Sequence, residues 1–281
     1  MQPVVAVIAP GMMGSAVAKR LTSTGLEVRT ALEGRGPDTL ARAKAAGMIG
    51  ASAAEIAASD FILSILPPGS ALELAESLAP ALRAATKKPI YVDCNAVDPA
   101  TVLRIARVVE ETGATFVDGG IIGGPPEHDS KNTRIYLSGP AAAKVTVLEQ
   151  YGLNMPVQPG PIGAASAMKM SYAGITKGFT ALGAAMMLAA TRAGTAEALK
   201  AELSGSQPAL YGWLTRQMPR MYSKAYRWVA EMEEIAAFVG EDPAAAKFYQ
   251  GAAQLYERIA ADFDGPNKET AMLDAFCAKQ G

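Results

Sequence analysis

Residues 4–15 read Val4-Val5-Ala6-Val7-Ile8-Ala9-Pro10-Gly11-Met12-Met13-Gly14-Ser15. Five apolar residues in a row, four of them β-branched, end abruptly at Ala9-Pro10-Gly11. An unbroken apolar run of this length fits a strand buried on both faces of a parallel sheet. Ser15 to Ser23 then carries a helical pattern closed by Gly25 in the capping position. The turn between strand and helix is a dinucleotide fingerprint in which Ala9 replaces the first glycine. Gly11 lets the backbone approach a pyrophosphate, Gly14 lets the helix pack on the strand, and the helix N-terminus attracts the anion. Pro10, Gly11, Met12, Met13 and Gly14 are therefore candidate cofactor-binding residues. An ordinary strand–helix turn that uses glycine for tightness is the plainer alternative.

Working outward, the same grammar repeats. Leu26 to Ala31, Phe61 to Leu66, Ile90 to Asp93, Thr115 to Asp118 and Arg134 to Ser138 are further strand candidates. Ser52-x-x-Glu55 is a capping box that opens a short helix, and another helix starts after Asp98-Pro99. Strands alternating with helices predict a doubly wound, Rossmann-type α/β sheet. After the Gln158-Pro159-Gly160-Pro161 loop the strand signals stop and the chain becomes helical. The expected division is residues 1–161 for nucleotide binding and residues 162–281 for an all-α substrate and dimerisation domain, joined by one long helix.

That helix, Ile162 to Arg192, holds no proline and is apolar on nearly every face, so it is expected to be buried. Two lysines interrupt it, Lys169 and Lys177. A buried charge is costly unless something pairs with it or uses it. Lys169 is expected to face a catalytic cleft between the two halves, the plainer reading being that both lysines snorkel to water. The end of the second strand, Ala31-Leu32-Glu33-Gly34-Arg35-Gly36, offers both recognition chemistries. Glu33 suits ribose hydroxyls and Arg35 suits a 2′-phosphate. The reading favours NADP, with NAD as the alternative.

Composition narrows the classes. A net charge of −1 over 281 residues leaves no electrostatic footprint for nucleic acid or anionic membrane. Cys94 and Cys277, far apart, make no disulfide framework, and the single histidine, His128, excludes most histidine-rich metal sites; no metal site is expected. The N-terminal run lacks a basic flank and meets Pro10 early, so it reads as a strand and not a signal peptide. A cytoplasmic setting follows, with a small-molecule substrate and no nucleic-acid or membrane partner.

These residues together resemble the β-hydroxyacid dehydrogenases, the superfamily of 6-phosphogluconate and 3-hydroxyisobutyrate dehydrogenases. The resemblance rests on Gly11-Met12-Met13-Gly14, Leu66-Pro67, Val92-Asp93-Cys94-Asn95-Ala96, Asp118 to Gly124, and Lys169 early in the long helix. The run Arg227-Trp228-x-x-Glu231-Met232-x-Glu234-Ile235 is similar to a branch with a phosphogluconate-dehydrogenase C-terminal-like domain. The resemblance implies hydride transfer between a nicotinamide and a carbinol carbon, with Lys169 as acid/base. An alcohol cannot give up hydride unless its hydroxyl proton also leaves, and a partly desolvated lysine is suited to take it. It implies Leu66, Pro67 and Asn95 at the cofactor, and Gly120, Ile121, Ile122 and Gly123 at the substrate. Gly119, Gly120, Gly123 and Gly124 would let backbone amides approach a carboxylate.

Three departures from the family pattern bear on the substrate. Ile122 stands where a serine is usual, Ala173 where an asparagine is usual, and Glu231 at the position of a later lysine. Replacing a cation by an acid favours a neutral or amino-bearing substrate, with Glu231 or Glu234 meeting it. A solvated acidic face is the plainer alternative. Thr176 and Ser166 are candidates to hold the lysine or substrate, Tyr172 a weaker one, and His128 belongs to an exposed loop. The helical patterns Met218 to Val239 and Ala244 to Phe263 are rich in aromatic residues, which favours core or subunit packing and a homodimer. Two further readings remain. One is imine reduction, since imine reductases share the two-domain plan. The other is a non-catalytic NADP(H)-binding protein.

Overall fold

In the computed structural model, which describes residues 2–126 and 132–278, the chain forms two compact units that divide between Met170 and Ser171. The first opens with β1 (Val5–Ile8), α1 (Met12–Thr22), β2 (Val28–Thr30), α2 (Pro37–Ala45), β3 (Ile49–Gly50), α3 (Ala53–Ala57) and β4 (Phe61–Ser64). It continues with α4 (Ala71–Ala84), β5 (Ile90–Asp93), α5 (Pro99–Glu110), β6 (Thr115–Ile122), β7 (Arg134–Ser138) and the short α6 (Ala142–Val145). The long helix α7 (Ala164–Arg192) begins in this unit and ends in the second. The second unit adds α8 (Ala196–Ser206), α9 (Pro208–Met221), α10 (Ala225–Phe238), α11 (Pro243–Phe263) and α12 (Lys268–Cys277).

The sheet runs in the order β3-β2-β1-β4-β5-β6-β7, parallel throughout except for β7, which is antiparallel to β6. The unbroken apolar runs are explained by the two cores they feed. Val5, Val7, Leu63, Val92 and Val117 enter one hydrophobic cluster. Ala6, Ile8, Ile62, Tyr91 and Phe116 enter the other. Side chains alternate between faces every residue, so a strand covered by helices on both sides must be apolar at every position. The chain reverses direction on leaving β1, and β2 and β4 flank it, which puts a topological switch point at the fingerprint turn.

Several expectations shift. The second strand is shorter than read, α1 starts three residues earlier, and β3 is short and exposed, so periodicity could not show it. β6 runs for eight residues, through Gly119 and Gly120, four beyond the Asp118 end expected from the sequence. The reason is close packing. A side chain at Gly119 would meet the Asp93 carbonyl oxygen at 2.9 Å, and one at Gly120 would meet that of Ala165 at 2.7 Å. The single helix expected over 218–239 is broken by a 3₁₀ turn at Tyr222–Lys224. Pro219, in the last turn of α9, leaves the Thr215 carbonyl without its helical N–H partner and weakens that turn. The capping box at Ser52 and Glu55 and the Asp98 cap of α5 both form.

The largest correction concerns α7. It is not buried all round: Tyr172, Ile175, Phe179, Leu182 and Met186 are exposed. Its small residues turn inward. In the helical unit, Gly174 and Gly178 lie against Tyr249, and Gly183 lies against Leu214 and Met218. Trp228 and Tyr256 meet edge to face at 5.2 Å, so these aromatic residues serve packing.

Candidate functional site

The fingerprint turn sits at the carboxyl end of β1. Gly11 caps α1 without a side-chain hydrogen bond, and the first turn holds no acidic residue to compete with an anion at the positive end of the helix dipole. Nothing lies within 4 Å of where a Gly11 side chain would stand, whereas one at Gly14 would meet the Ala9 carbonyl oxygen at 2.0 Å. The two glycines thus do different work: Gly14 admits the helix to the strand and Gly11 leaves room outside it. Pro10 is buried, Met13 half-buried and Met12 exposed. An open, uncapped helix N-terminus of this kind fits a pyrophosphate.

Glu33 and Arg35 are exposed in the turn after β2, where Gly34 has φ +70°. Arg42, on α2, was not singled out from the sequence, yet its Nε donates to the Pro10 carbonyl oxygen at 3.1 Å and its guanidinium also holds Thr39. No local signal distinguishes it from a solvated helix arginine. Only the fold brings α2 to the fingerprint turn.

At the ends of β4 and β5 lies a buried polar bracket. The Asn95 amide donates to Ser64 Oγ at 2.8 Å and to Asp93 Oδ1, while its carbonyl oxygen accepts from the Leu66 backbone N–H. Asn95 is 1 % exposed, with its amide and carbonyl both engaged by these partners. It ties the β5 end to the Leu66-Pro67 segment, where Leu66 is half-buried and Pro67 exposed. Burial pushes the Asp93 carboxyl up to about 7, and the Asp118 charge adds to this; the hydrogen bonds from Asn95 and Ser64 act the other way.

Asp118, fully buried on β6, holds the start of α7. Its Oδ2 accepts from Ser138 Oγ at 2.8 Å and from the backbone N–H of Gly163 and Ser166 at 3.0 and 3.1 Å. Its Oδ1 accepts from Ser166 Oγ at 2.6 Å. Ser138 Oγ in turn accepts from the Ala165 N–H at 2.9 Å. A carboxylate at a helix N-terminus satisfies amides that have no partner within the helix, and it complements the dipole. Ser166, fully buried, spends its hydroxyl proton on this cap. The cap also pins Lys169, whose Cβ lies 3.2 Å from where a side chain at Gly120 would stand. Lys169 is half-buried, and its charge acts on the buried Cys94 thiol at the end of β5. Burial pushes that thiol well up, as do Asp93 and Asp118; Lys169 pulls it down. The Lys169 Cβ thus stands beside Gly120, two residues past the Asp118 position that pairs with the end of β5.

Ile121 is buried and Ile122 half-buried on β6. Gly123 follows at φ +115°, where a side chain would collide with the Asn132 carbonyl oxygen at 2.6 Å. His128 lies outside the described residues. In the helical unit, Ala173 is buried, and Thr176 Oγ1 donates back to the Tyr172 carbonyl oxygen at 2.9 Å. Glu231 departs from expectation. Its carboxylate forms an ion pair with Lys177, both side chains 18 % exposed, and Lys177 Nζ also stands 5.1 Å from the Trp228 ring centre. The Glu231 carboxylate is thus engaged within the helical unit. Among the described residues no group of three or more His, Cys, Asp or Glu could hold a metal ion.

A doubly wound sheet with a glycine turn under an uncapped helix, followed by a long helix and a helical unit, defines the class of nicotinamide-dinucleotide-binding oxidoreductase folds. Residues 4–155, more than half of the chain, match the family model described as the NAD binding domain of 6-phosphogluconate dehydrogenase, and the chain belongs to that family. Residues 190–259 match a domain of unknown function, DUF1932. An uncharacterised 28.5 kDa protein of Methanothermus fervidus is 32 % identical over 159 residues, covering 56 % of this chain and 59 % of that protein. The mitochondrial 3-hydroxyisobutyrate dehydrogenase of Mus musculus is 30 % identical over 166 residues, covering 57 % and 49 %. The chain thus spans between about half and three fifths of the length of these curated relatives. A solved structure of a conserved protein of unknown function, described as similar to 3-hydroxyacid dehydrogenases, matches over 92 % of this chain and 97 % of that one. Its identity is 30 % and its TM-score 0.71.

Proposed function

We propose that this protein is an NAD(P)-dependent dehydrogenase or reductase that interconverts a small hydroxy compound and its carbonyl form, with Lys169 as the acid/base. The observation that carries the reading is the locked lysine. Asp118 caps α7, Gly120 lets the helix close on β6, and Lys169 is left half-buried at the carboxyl edge of the sheet. Gly11 and the first-turn amides of α1 would hold a pyrophosphate, and Leu66-Pro67, braced by Asn95, would border the cofactor. Bound there, a nicotinamide supplies the hydride acceptor or donor. The protein's own part is to take the hydroxyl proton on Lys169 Nζ in oxidation and return it in reduction. Gly120 to Gly123 would border the substrate, with Ile122 bringing an apolar side chain. Arg35, with Arg42 behind it at the fingerprint turn, supports a preference for the 2′-phosphate of NADP. The mouse relative is a 3-hydroxyisobutyrate dehydrogenase by name, which supports a small hydroxy acid or a close analogue as the substrate class. The setting proposed is cytoplasmic.

The test is a fluorescence titration with NADPH and NADH, followed by a turnover screen on hydroxy acids, amino alcohols and cyclic imines, with Lys169→Ala as control. The reading expects tighter binding of NADPH. It expects turnover of a hydroxy compound that falls about 100-fold or more in Lys169→Ala, with cofactor binding kept. Turnover confined to imines and indifferent to Lys169, or cofactor binding with no turnover on any class, would sink it.

A further inference from the structure

Four polar residues form a line across the sheet. Ser64 on β4 pairs with Asp93 on β5, Asp93 with Asp118 on β6, and Asp118 with Ser138 on β7. All four are fully buried. Residues paired across adjacent strands turn to the same face, so these side chains lie side by side at one level of the sheet. Buried polar groups are costly unless hydrogen bonds take them up. Here the line is taken up at both ends. At one end Asp118 and Ser138 seat the start of α7, the helix that carries Lys169. At the other, Ser64 and Asp93 both accept from the Asn95 amide, whose carbonyl oxygen holds the Leu66 N–H.

We propose that Asp93 is a positioning residue for hydride transfer, holding the Asn95 amide in one orientation and, through it, the Leu66-Pro67 segment that would border the cofactor. The proposal rests on the dehydrogenase reading above. An amide side chain has one donating and one accepting end. Turned over, Asn95 would set its oxygen against the Asp93 oxygen and its N–H groups against the Leu66 N–H. Ser64 cannot choose between the two orientations, because a hydroxyl donates as readily as it accepts. Asp93 Oδ1 can. The other oxygen, Oδ2, is buried with no hydrogen-bond partner among the described residues, whereas Asp118 beside it receives four donors. Two adjacent buried carboxyls do not both ionise. The charge of the pair therefore rests on Asp118, and Asp93 keeps a proton on Oδ2 and leaves Oδ1 as an acceptor for the amide.

The experiment compares the full chain with Asp93→Asn, which keeps the acceptor, and Asp93→Leu, which removes it at similar volume. Hydrogen exchange at the Leu66 amide, read by NMR without cofactor, should quicken about tenfold or more in Asp93→Leu and stay at the wild-type rate in Asp93→Asn. With NADPH and the carbonyl compound that the wild type reduces, Asp93→Leu should lose about tenfold or more in kcat while its NADPH dissociation constant stays within about threefold. Asp93→Asn should recover that kcat. Should Asp93→Leu fail to fold, Asp93→Ser, whose oxygen is too short to reach Asn95, is expected to give the same pattern. If the wild type turns over no substrate, the dehydrogenase reading fails on its own. The proposal is then judged on Leu66 exchange and on the emission of bound NADPH, which Asp93→Leu should shift at unchanged affinity. Unaltered Leu66 exchange in Asp93→Leu, faster exchange with wild-type kcat or emission, or a kcat loss that Asp93→Asn does not recover would overturn the proposal.

Discussion

The Asp118 carboxylate accepts the Ser166 hydroxyl at 2.6 Å and the Ser166 backbone N–H at 3.1 Å, so one residue of the sheet grips the first turn of α7 twice. With Gly163 and Ser138 as further donors, four groups converge on a side chain with no exposure to water. Asp118→Ala would leave two amides and two hydroxyls without this partner. The expected cost is about 3 kcal/mol or more, read by urea unfolding followed through the sheet. Asp118→Asn, which keeps one acceptor oxygen, should cost less. Equal stability of Asp118→Ala and wild type would mean the cap is not what seats the helix.

Gly11 and Gly14 separate folding from binding. Gly14→Ala drives a Cβ into the Ala9 carbonyl oxygen, and a backbone contact of that kind has no flexible end to move. A loss of about 2 kcal/mol or more in stability is expected. Gly11→Ala meets open space at an ordinary φ of −71°, so its melting temperature should stay near wild type. Its cofactor affinity should nonetheless fall about tenfold, because the added methyl occupies the approach to the helix N-terminus. Wild-type affinity in Gly11→Ala would place the pyrophosphate elsewhere.

Asp93 makes stability depend on pH in an unusual direction for a carboxylate. Its folded pKa is raised to about 7 from 3.8, so between those values the folded state holds a proton that the unfolded chain releases. The stability this contributes is complete below the unfolded pKa and is lost as pH rises through the folded one. Unfolding free energy should therefore decline from about pH 4 to about pH 7 by up to a few kcal/mol and level off above. Asp93→Asn, which keeps the acceptor oxygen for Asn95, should flatten that slope. An unchanged slope in the variant would assign it to another group.

Lys177 and Glu231 test whether an acid on α10 serves the substrate or the fold. Breaking one side of the pair leaves the other charge largely out of water, so Lys177→Met and Glu231→Gln are each expected to lose about 2 kcal/mol. Lys177→Met combined with Glu231→Leu should recover most of it. A Glu231→Gln variant with wild-type stability and a raised KM for an amine-bearing substrate would return Glu231 to the site.

Much of the architecture could be read locally. Val5 to Ile8 is apolar at every position because helices cover both faces of the sheet, and Ser52 and Glu55 complete a cap within three residues of each other. Those signals depend on neighbours in sequence, and so they survive without the fold. The glycine turn after β1 belongs to the same kind, since strand, turn and helix are consecutive. Small errors fall at element ends, such as the start of α1 and the length of β2, and the larger revisions involve partners far along the chain. Gly119 and Gly120 read as glycines that admit a ligand, and only the fold shows that the Asp93 and Ala165 carbonyls, from β5 and α7, also demand them. Asn95 read as a ligand contact from its place at a strand end, and only the fold shows that Leu66, Ser64 and Asp93 share its side chain.

By itself, then, the amino-acid order determined the alternating α/β plan, the position of the nucleotide turn and the presence of a lysine-bearing helix after it. Each follows from periodicity and backbone freedom over a few residues. Only the tertiary structure decided that Asp118 seats that helix, that Arg42 reaches Pro10, that Lys177 takes Glu231, and that one face of α7 stays bare. These are contacts between distant segments, selected because a buried charge or amide must find a partner wherever the fold provides one.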